Sequence, residues 1–190
     1  LEHSAGTSME AGLGCVRTLP DILRKSGFNI TVTHAYMGGR REILFFEGGD
    51  TSGKNHGIAV DIGTTTVMAD LIDLTGGGIC ASAAMYNSQM HYGADVINRI
   101  MYAQENPDGL EKLHELAIRD INELIGRLTA EAGIQAGDVC SMVCTGNTIM
   151  THFLLGLTPV NIRREPYIPV VGDPAPVHAE EIGIAVHPRG

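Results

Sequence analysis

Hydrophobic positions along this chain change period several times, and each change marks an element. Residues 1–12 are small and polar and are expected to be loose. Leu19, Ile22 and Leu23 then fall on one helical face, which predicts a short helix over 18–27 ending at Gly27. Phe28, Ile30 and Val32 alternate and predict a strand over 28–36, and after a turn a second strand is expected at 41–47. Past a polar, Gly-rich stretch at 48–57, strands are expected in quick succession at 57–62, 66–74 and 79–86. Their connections are short, so they form an antiparallel meander. Helical spacing follows twice. Val96, Ile97, Ile100 and Met101 point inward from a helix over 94–104, and Leu113, Ala117, Ile121, Leu124 and Leu128 from one over 110–132. A fourth strand is expected at 138–144, parallel to and beside the first of the meander. Asn147 then caps a short apolar helix that ends near Gly156. Residues 157–190 are Pro-rich and irregular, with a short strand expected at 183–186.

This order, β-β-β-α-β-α with a mixed sheet, is the α/β pattern of a ribonuclease H-like half-domain of actin/sugar-kinase type. A small α+β piece precedes it. Two such halves enclose a nucleotide cleft, and one half is expected here. The expected division is 1–54, the end of a small α+β middle domain plus linker, and 55–190, the first half of an actin/sugar-kinase-like ATPase domain. The chain begins Leu-Glu-His, without Met and without a charged-then-apolar signal region, and is expected to be a piece of a longer protein.

Candidate chemistry concentrates on the turn after the first meander strand. Asp61, Gly63, Thr64, Thr65 and Thr66 follow one another as a carboxylate, a turn glycine and a row of hydroxyls. Glycine leaves the backbone N–H groups open to an anion, the threonines add donors for phosphate oxygens, and Asp61 offers Mg²⁺ a carboxylate through water. An ordinary hairpin of the same composition is the plain alternative. Gly146 and Asn147 follow the fourth strand and border the same cleft; Asn147 could orient a metal-bound water or a phosphate as well as cap its helix. Asn87 and Gln89 are expected as hydrogen-bonding groups at the cleft rim. Asp95 sits in a helix's first turn, where the dipole favours a carboxylate whether or not it binds a ligand. Arg99 is expected to reach a phosphate or to pair with a surface acid.

Other patterns fail on inspection. Gly48, Gly53 and Lys54 imitate a phosphate-binding loop, but Asn55 stands where the Mg²⁺-binding hydroxyl belongs, and a strand follows where a helix is needed. His114-Glu115 opens like a zinc-protease helix, but Ile118 occupies the second histidine position. Cys140 and Cys144 share a strand face without partner ligands and are expected to pack in the core, and His91 and His152 are expected to be structural.

Composition narrows the partners. Hydrophobic residues make up 44% and charged residues 18% of 190, enough apolar material for a core. The formal net charge of −9 and the absence of Trp argue against binding nucleic acid through its backbone or by base stacking. No run of 18 apolar residues predicts a membrane span. The four dispersed cysteines, Cys15, Cys80, Cys140 and Cys144, read as free thiols of a reducing cytoplasm.

Three ordered blocks carry a resemblance. Residues 56–67 contain "DIGTTTV", residues 87–100 read "NSQMHYGADVINRI", and residues 146–156 read "GNTIMTHFLLG"; "EPYIPV" at 165–170 also fits. Together these resemble the ATP-dependent reductive activators of corrinoid proteins, iron–sulfur proteins with a C-terminal actin/sugar-kinase-type ATPase domain. Ser88 stands where the family block has Pro, Asn98 where Ser is common and Thr145 where Val is frequent; none of these removes a proposed metal or phosphate group. The resemblance implies ATP and Mg²⁺ as cofactors, with Asp61 and Asn147 as catalytic residues and Asp61 on the metal side. It implies Gly63, Thr64, Thr65, Thr66, Gly146, Asn87, Gln89 and Asp95 around the nucleotide. It also implies a [2Fe–2S] cluster upstream in the full-length parent, outside this chain. In the family, ATP hydrolysis drives reduction of cob(II)amide to cob(I)amide. The implied partners are a corrinoid protein and an electron donor, with a homodimer left open and neither nucleic acid nor membrane involved. The chain alone is expected to be inactive. Two alternatives stay open: another superfamily member, such as a sugar-type kinase or a dehydratase activator, and a non-catalytic docking module.

Overall fold

The computed structural model describes residues 9–37 and 39–187. Two sheets are present among them. The first is small: β1 (Glu10–Ala11) pairs in parallel with β3 (Arg40–Gly48), which pairs antiparallel with β2 (Ile30–Met37). Helix α1 (Leu13–Lys25) covers it. Two expectations change here. Glu10 and Ala11 are strand rather than loose chain, while 1–8 lie outside the described residues. The helix starts five residues earlier than its apolar spacing suggests and runs through Pro20. Burial explains this: Cys15 packs against Ile43 and Phe46 and donates its thiol proton to the Leu44 carbonyl at 3.0 Å, which anchors the first turn.

The second sheet has the order β6-β5-β4-β7, with β4 (His56–Ile62), β5 (Thr66–Asp73), β6 (Ile79–Tyr86) and β7 (Val139–Gly146). β4, β5 and β6 form the expected meander, and β7 lies parallel beside β4. Alternation fixes which face is buried. Ile58, Val60 and Ile62 on β4 stand opposite Leu71, Ala69 and Val67 on β5, all within the core. Asp61, Met68, Val143 and Thr145 are exposed.

Helix α2 (Val96–Glu105) packs on α3 (Gly109–Ala132), and α3 and α4 (Thr148–Leu154) pack against the buried face. Leu113, Ala117, Ile121, Leu124 and Leu128 are buried as their spacing requires. Helix α2 is rotated from the expected face: Ile97 is exposed, whereas Arg99 is buried beside Ile100. The inward stripe is Val96, Arg99, Ile100 and Ala103, because Arg99 finds polar partners inside. At the other end, 183–186 is not a strand. A short helix α5 (Ala179–Ile182) ends on left-handed Gly183, and Asn122 of α3 imitates a neighbouring strand. Its Nδ2 donates to the Gly183 carbonyl at 3.0 Å and its Oδ1 accepts the Ala185 N–H at 2.8 Å. Among the described residues, no helix is long and apolar enough to cross a membrane.

Candidate functional site

Parallel pairing of β4 and β7 brings two loops together at the C-terminal ends of adjacent strands. Asp61 is registered with Thr145 and Ile62 with Gly146. The Thr145 hydroxyl donates to Asp61 Oδ1 at 3.3 Å, and both side chains are exposed. Gly146 fits closely here, since a Cβ there would lie 3.1 Å from the Ile62 carbonyl oxygen, a tight contact. Asn147 caps its helix as expected. Its Oδ1 accepts the Ile149 and Met150 N–H groups, capping α4, while its Nδ2 donates to Thr64 Oγ1 at 3.4 Å and so ties the second loop to the first.

The turn Gly63-Thr64-Thr65 is held from beneath at three successive carbonyls. Asn87 Nδ2 donates to the Gly63 oxygen at 2.9 Å, Arg99 Nη2 donates to the Thr64 oxygen, and the Asn87 N–H donates to the Thr65 oxygen at 2.8 Å. In a trans peptide the carbonyl and the following N–H point in opposite directions. Holding the Gly63 and Thr64 oxygens inward therefore turns the Thr64 and Thr65 N–H groups outward. Neither N–H has a partner among the described residues. Thr66 begins β5 opposite Tyr86. The turn thus offers outward backbone donors next to Asn147, which is bonded to Thr64, and successive free N–H groups of this kind bind anions.

Asn87 and Gln89 do not sit at an open rim as expected. Asn87 is 2% and Gln89 0% exposed. Gln89 donates to the Leu113 carbonyl at 2.8 Å and accepts from Arg99 Nη1 at 3.1 Å, so it supports the turn at one remove. Asp95 is the N-cap of α2, its carboxylate accepting from Asn98 N–H and Nδ2, both at 2.9 Å. Arg99 is fully buried rather than paired with a surface acid. One supporting residue, Asp120, was not singled out from the sequence, and the burial of Arg99 was not foreseen. Asp120 is fully buried on α3 and accepts the Ser88 N–H at 2.7 Å. The signal was available: each is a charged residue inside an apolar helical stripe, and charges are rarely buried without a partner.

No group of three His, Cys, Asp or Glu side chains comes together among the described residues. A metal here would be held by one carboxylate, water and the ligand's own oxygens, which fits the way Mg²⁺ is usually bound. It does not fit an iron–sulfur cluster. His152 is buried and satisfied at both nitrogens: Nδ1 lies 2.7 Å from the Thr148 carbonyl, and Nε2 accepts the Val170 N–H at 3.1 Å. The stretch 49–55 is a surface turn followed by β4, with no helix to complete a phosphate loop. A cleft of about 560 Å³, lined by Thr31, Tyr36, Lys54 and Cys140 among others, lies at the opposite, N-terminal ends of β4 and β7.

Cys144 packs against the core, where burial pushes its thiol up to about 11. Its proton is kept in the fold and lost from the unfolded chain at lower pH, so this group's contribution to stability falls as pH rises through 9 to 11. Iodoacetamide at pH 8 is expected to label exposed Cys80 at least about tenfold faster than Cys144, with the difference abolished in denaturant. Equal labelling in the folded protein, read by mass spectrometry, would contradict the placement of β7.

Residues 56–190 match the family model described as the RACo middle region. The corrinoid activation enzyme RamQ of Eubacterium limosum is 32% identical over 157 residues, which are 83% of this chain and 26% of that protein. A solved reductive activator for a corrinoid, iron-sulfur protein superposes with a TM-score of 0.93 at 39% identity, covering 100% of this chain and 30% of that one. The chain therefore spans less than a third of either relative. With a family match that starts at the first residue of β4, contains both loops of the site and runs to residue 190, this chain belongs to the RACo middle-region family.

Proposed function

We propose that this chain is the phosphate-binding half of an ATP-dependent reductive activator of corrinoid proteins. On this reading 55–190 is the first half of a ribonuclease H-like, actin/sugar-kinase-type ATPase domain, and 1–54 ends the preceding α+β domain. The observation that carries it is the Gly63–Thr65 turn, tethered at three carbonyls, whose Thr64 and Thr65 N–H groups point away from those tethers. Those N–H groups and the Thr64 and Thr65 hydroxyls would hold phosphate oxygens. Gly146 and Asn147 border the same phosphates from the adjacent strand, and Asp61 would orient a metal through water. Mg²⁺, when bound, neutralises charge developing on the phosphates. ATP hydrolysis in the full-length protein would drive reduction of cob(II)amide to cob(I)amide on the partner, with electrons from a donor through a [2Fe–2S] cluster elsewhere in that protein.

Asp61→Asn in the full-length protein tests this. The change keeps size and hydrogen bonding but removes the charge. It is expected to lower corrinoid-stimulated ATP turnover about 10–100-fold, the usual consequence of losing an outer-shell metal partner, with an unchanged circular dichroism spectrum. Parental turnover from a folded Asp61→Asn protein would make Asp61 a plain turn residue and remove the reading's main support.

A further inference from the structure

Arg99 is fully buried, and none of the carboxylates among the described residues reaches it as an ion-pair partner. Its guanidinium is held by dipoles instead. Nε donates to the Gly93 carbonyl at 2.9 Å, Nη1 to Gln89 Oε1 at 3.1 Å with Met150 Sδ at 3.4 Å, and Nη2 to the Thr64 carbonyl. Asp95 acts on it only at longer range. A buried cation without a counter-ion is costly, and neutral side chains could satisfy the same carbonyls more cheaply. What a neutral side chain cannot supply is positive charge under the turn. Gly93 is fitted to this arrangement, since a Cβ there would lie 2.6 Å from the Arg99 backbone nitrogen and 2.9 Å from its Cγ.

We infer that Arg99 is a positioning residue for the anion-binding turn: it pulls the Thr64 carbonyl inward, aims the Thr65 N–H outward, and keeps a positive charge without a direct ion-pair partner beneath the bound phosphate. The planar fork spans Thr64, Gln89 and Gly93 at once, which an ammonium on a flexible stem does not reproduce. The anion it favours is a polyphosphate, whose charge offsets a guanidinium that has no ion-pair partner among the described residues and feels Asp95 only at longer range. This inference rests on the phosphate-binding reading above and adds to it the element that shapes the turn.

The test uses the full-length protein, titrated with ATP and with adenosine. Arg99→Lys is expected to weaken ATP binding about tenfold and Arg99→Gln further, while adenosine binding changes less than about twofold. KM for ATP rises more than kcat falls. Equal loss of ATP and adenosine binding would make Arg99 a general packing residue, and parental ATP affinity in Arg99→Lys would remove its role; either overturns the inference. Failure of the parent itself to bind ATP overturns the phosphate-binding reading instead. Should the variants not fold, the unmodified protein decides. On ATP titration the Arg99 guanidinium ¹⁵N resonances are expected to shift with the same midpoint as the Thr65 amide. An Arg99 signal that stays still while Thr65 moves overturns the inference.

Discussion

Gly63→Ala in the full-length protein is expected to lower ATP turnover about 100-fold, the scale of a misplacement of roughly 1 Å in a reacting group. The reason is space. The Gly63 backbone is not left-handed, but a Cβ there would lie 2.5 Å from the Thr66 carbonyl oxygen, which belongs to the backbone of β5 and cannot swing aside. The turn must open to admit it. Opening displaces the Gly63 and Thr64 carbonyls from Asn87 and Arg99, and with them the N–H groups that those bonds aim. The strain costs about 1–3 kcal/mol of stability, so the protein stays folded while the site is lost. Gly53→Ala is the matched control. Gly53 belongs to the loop that imitates a phosphate motif, and nothing lies within 4 Å of its added methyl group. Turnover is measured with the corrinoid partner present, and folding by thermal melting. Gly63→Ala turning over ATP at the rate of Gly53→Ala would show that phosphate is bound elsewhere.

The sequence reading succeeded where a single local pattern decides the outcome. Apolar runs marked the strands around Ile58, Val67 and Ala81, and their short turns forced β4, β5 and β6 into a meander. The adjacency of β7 to β4, which brings Thr145 and Asn147 to Asp61 and Thr64, followed from element order. The reading failed where a side chain of one element settles the structure of another. The strand expected at 183–186 lost to Asn122, sixty-odd residues earlier, which supplies the donor and acceptor a strand would have supplied. Gln89 reads as a free polar group in a loop, yet its amide is committed to Leu113 and Arg99. The inward face of α2 was misjudged because an apolar stripe is read from apolar residues, and here the stripe contains an arginine. The residues expected to touch ligand and the residues that shape the turn thus fall into two layers. Asp61, Thr64, Thr65 and Asn147 are at the surface, whereas Asn87, Gln89, Arg99 and Asp120 lie beneath.

Leu128→Ala is expected to destabilise the fold by about 2–5 kcal/mol, the range for emptying a fully buried leucine site, yet leave the ATP affinity of the folded protein unchanged. Leu128 belongs to the core under the sheet, near the C-terminal end of α3. The groups by which α3 supports the turn are the Leu113 carbonyl, which holds Gln89, and Asp120, which holds Ser88. At 1.5 Å per residue Leu128 lies about 12 Å along the helix from Asp120 and about 22 Å from Leu113. A cavity at Leu128 therefore weakens the attachment of helix to sheet without touching the layer beneath the turn, and distant sites of this kind contribute independently. The expected pairing of results is the reverse of Gly63→Ala: a large drop in thermal or urea midpoint with unchanged ATP dissociation constant, measured below the transition. If Leu128→Ala weakens ATP binding as much as Gly63→Ala does, the turn takes its shape from the packing of the whole sheet. Its local tethers to Asn87 and Arg99 would then not be what aims it.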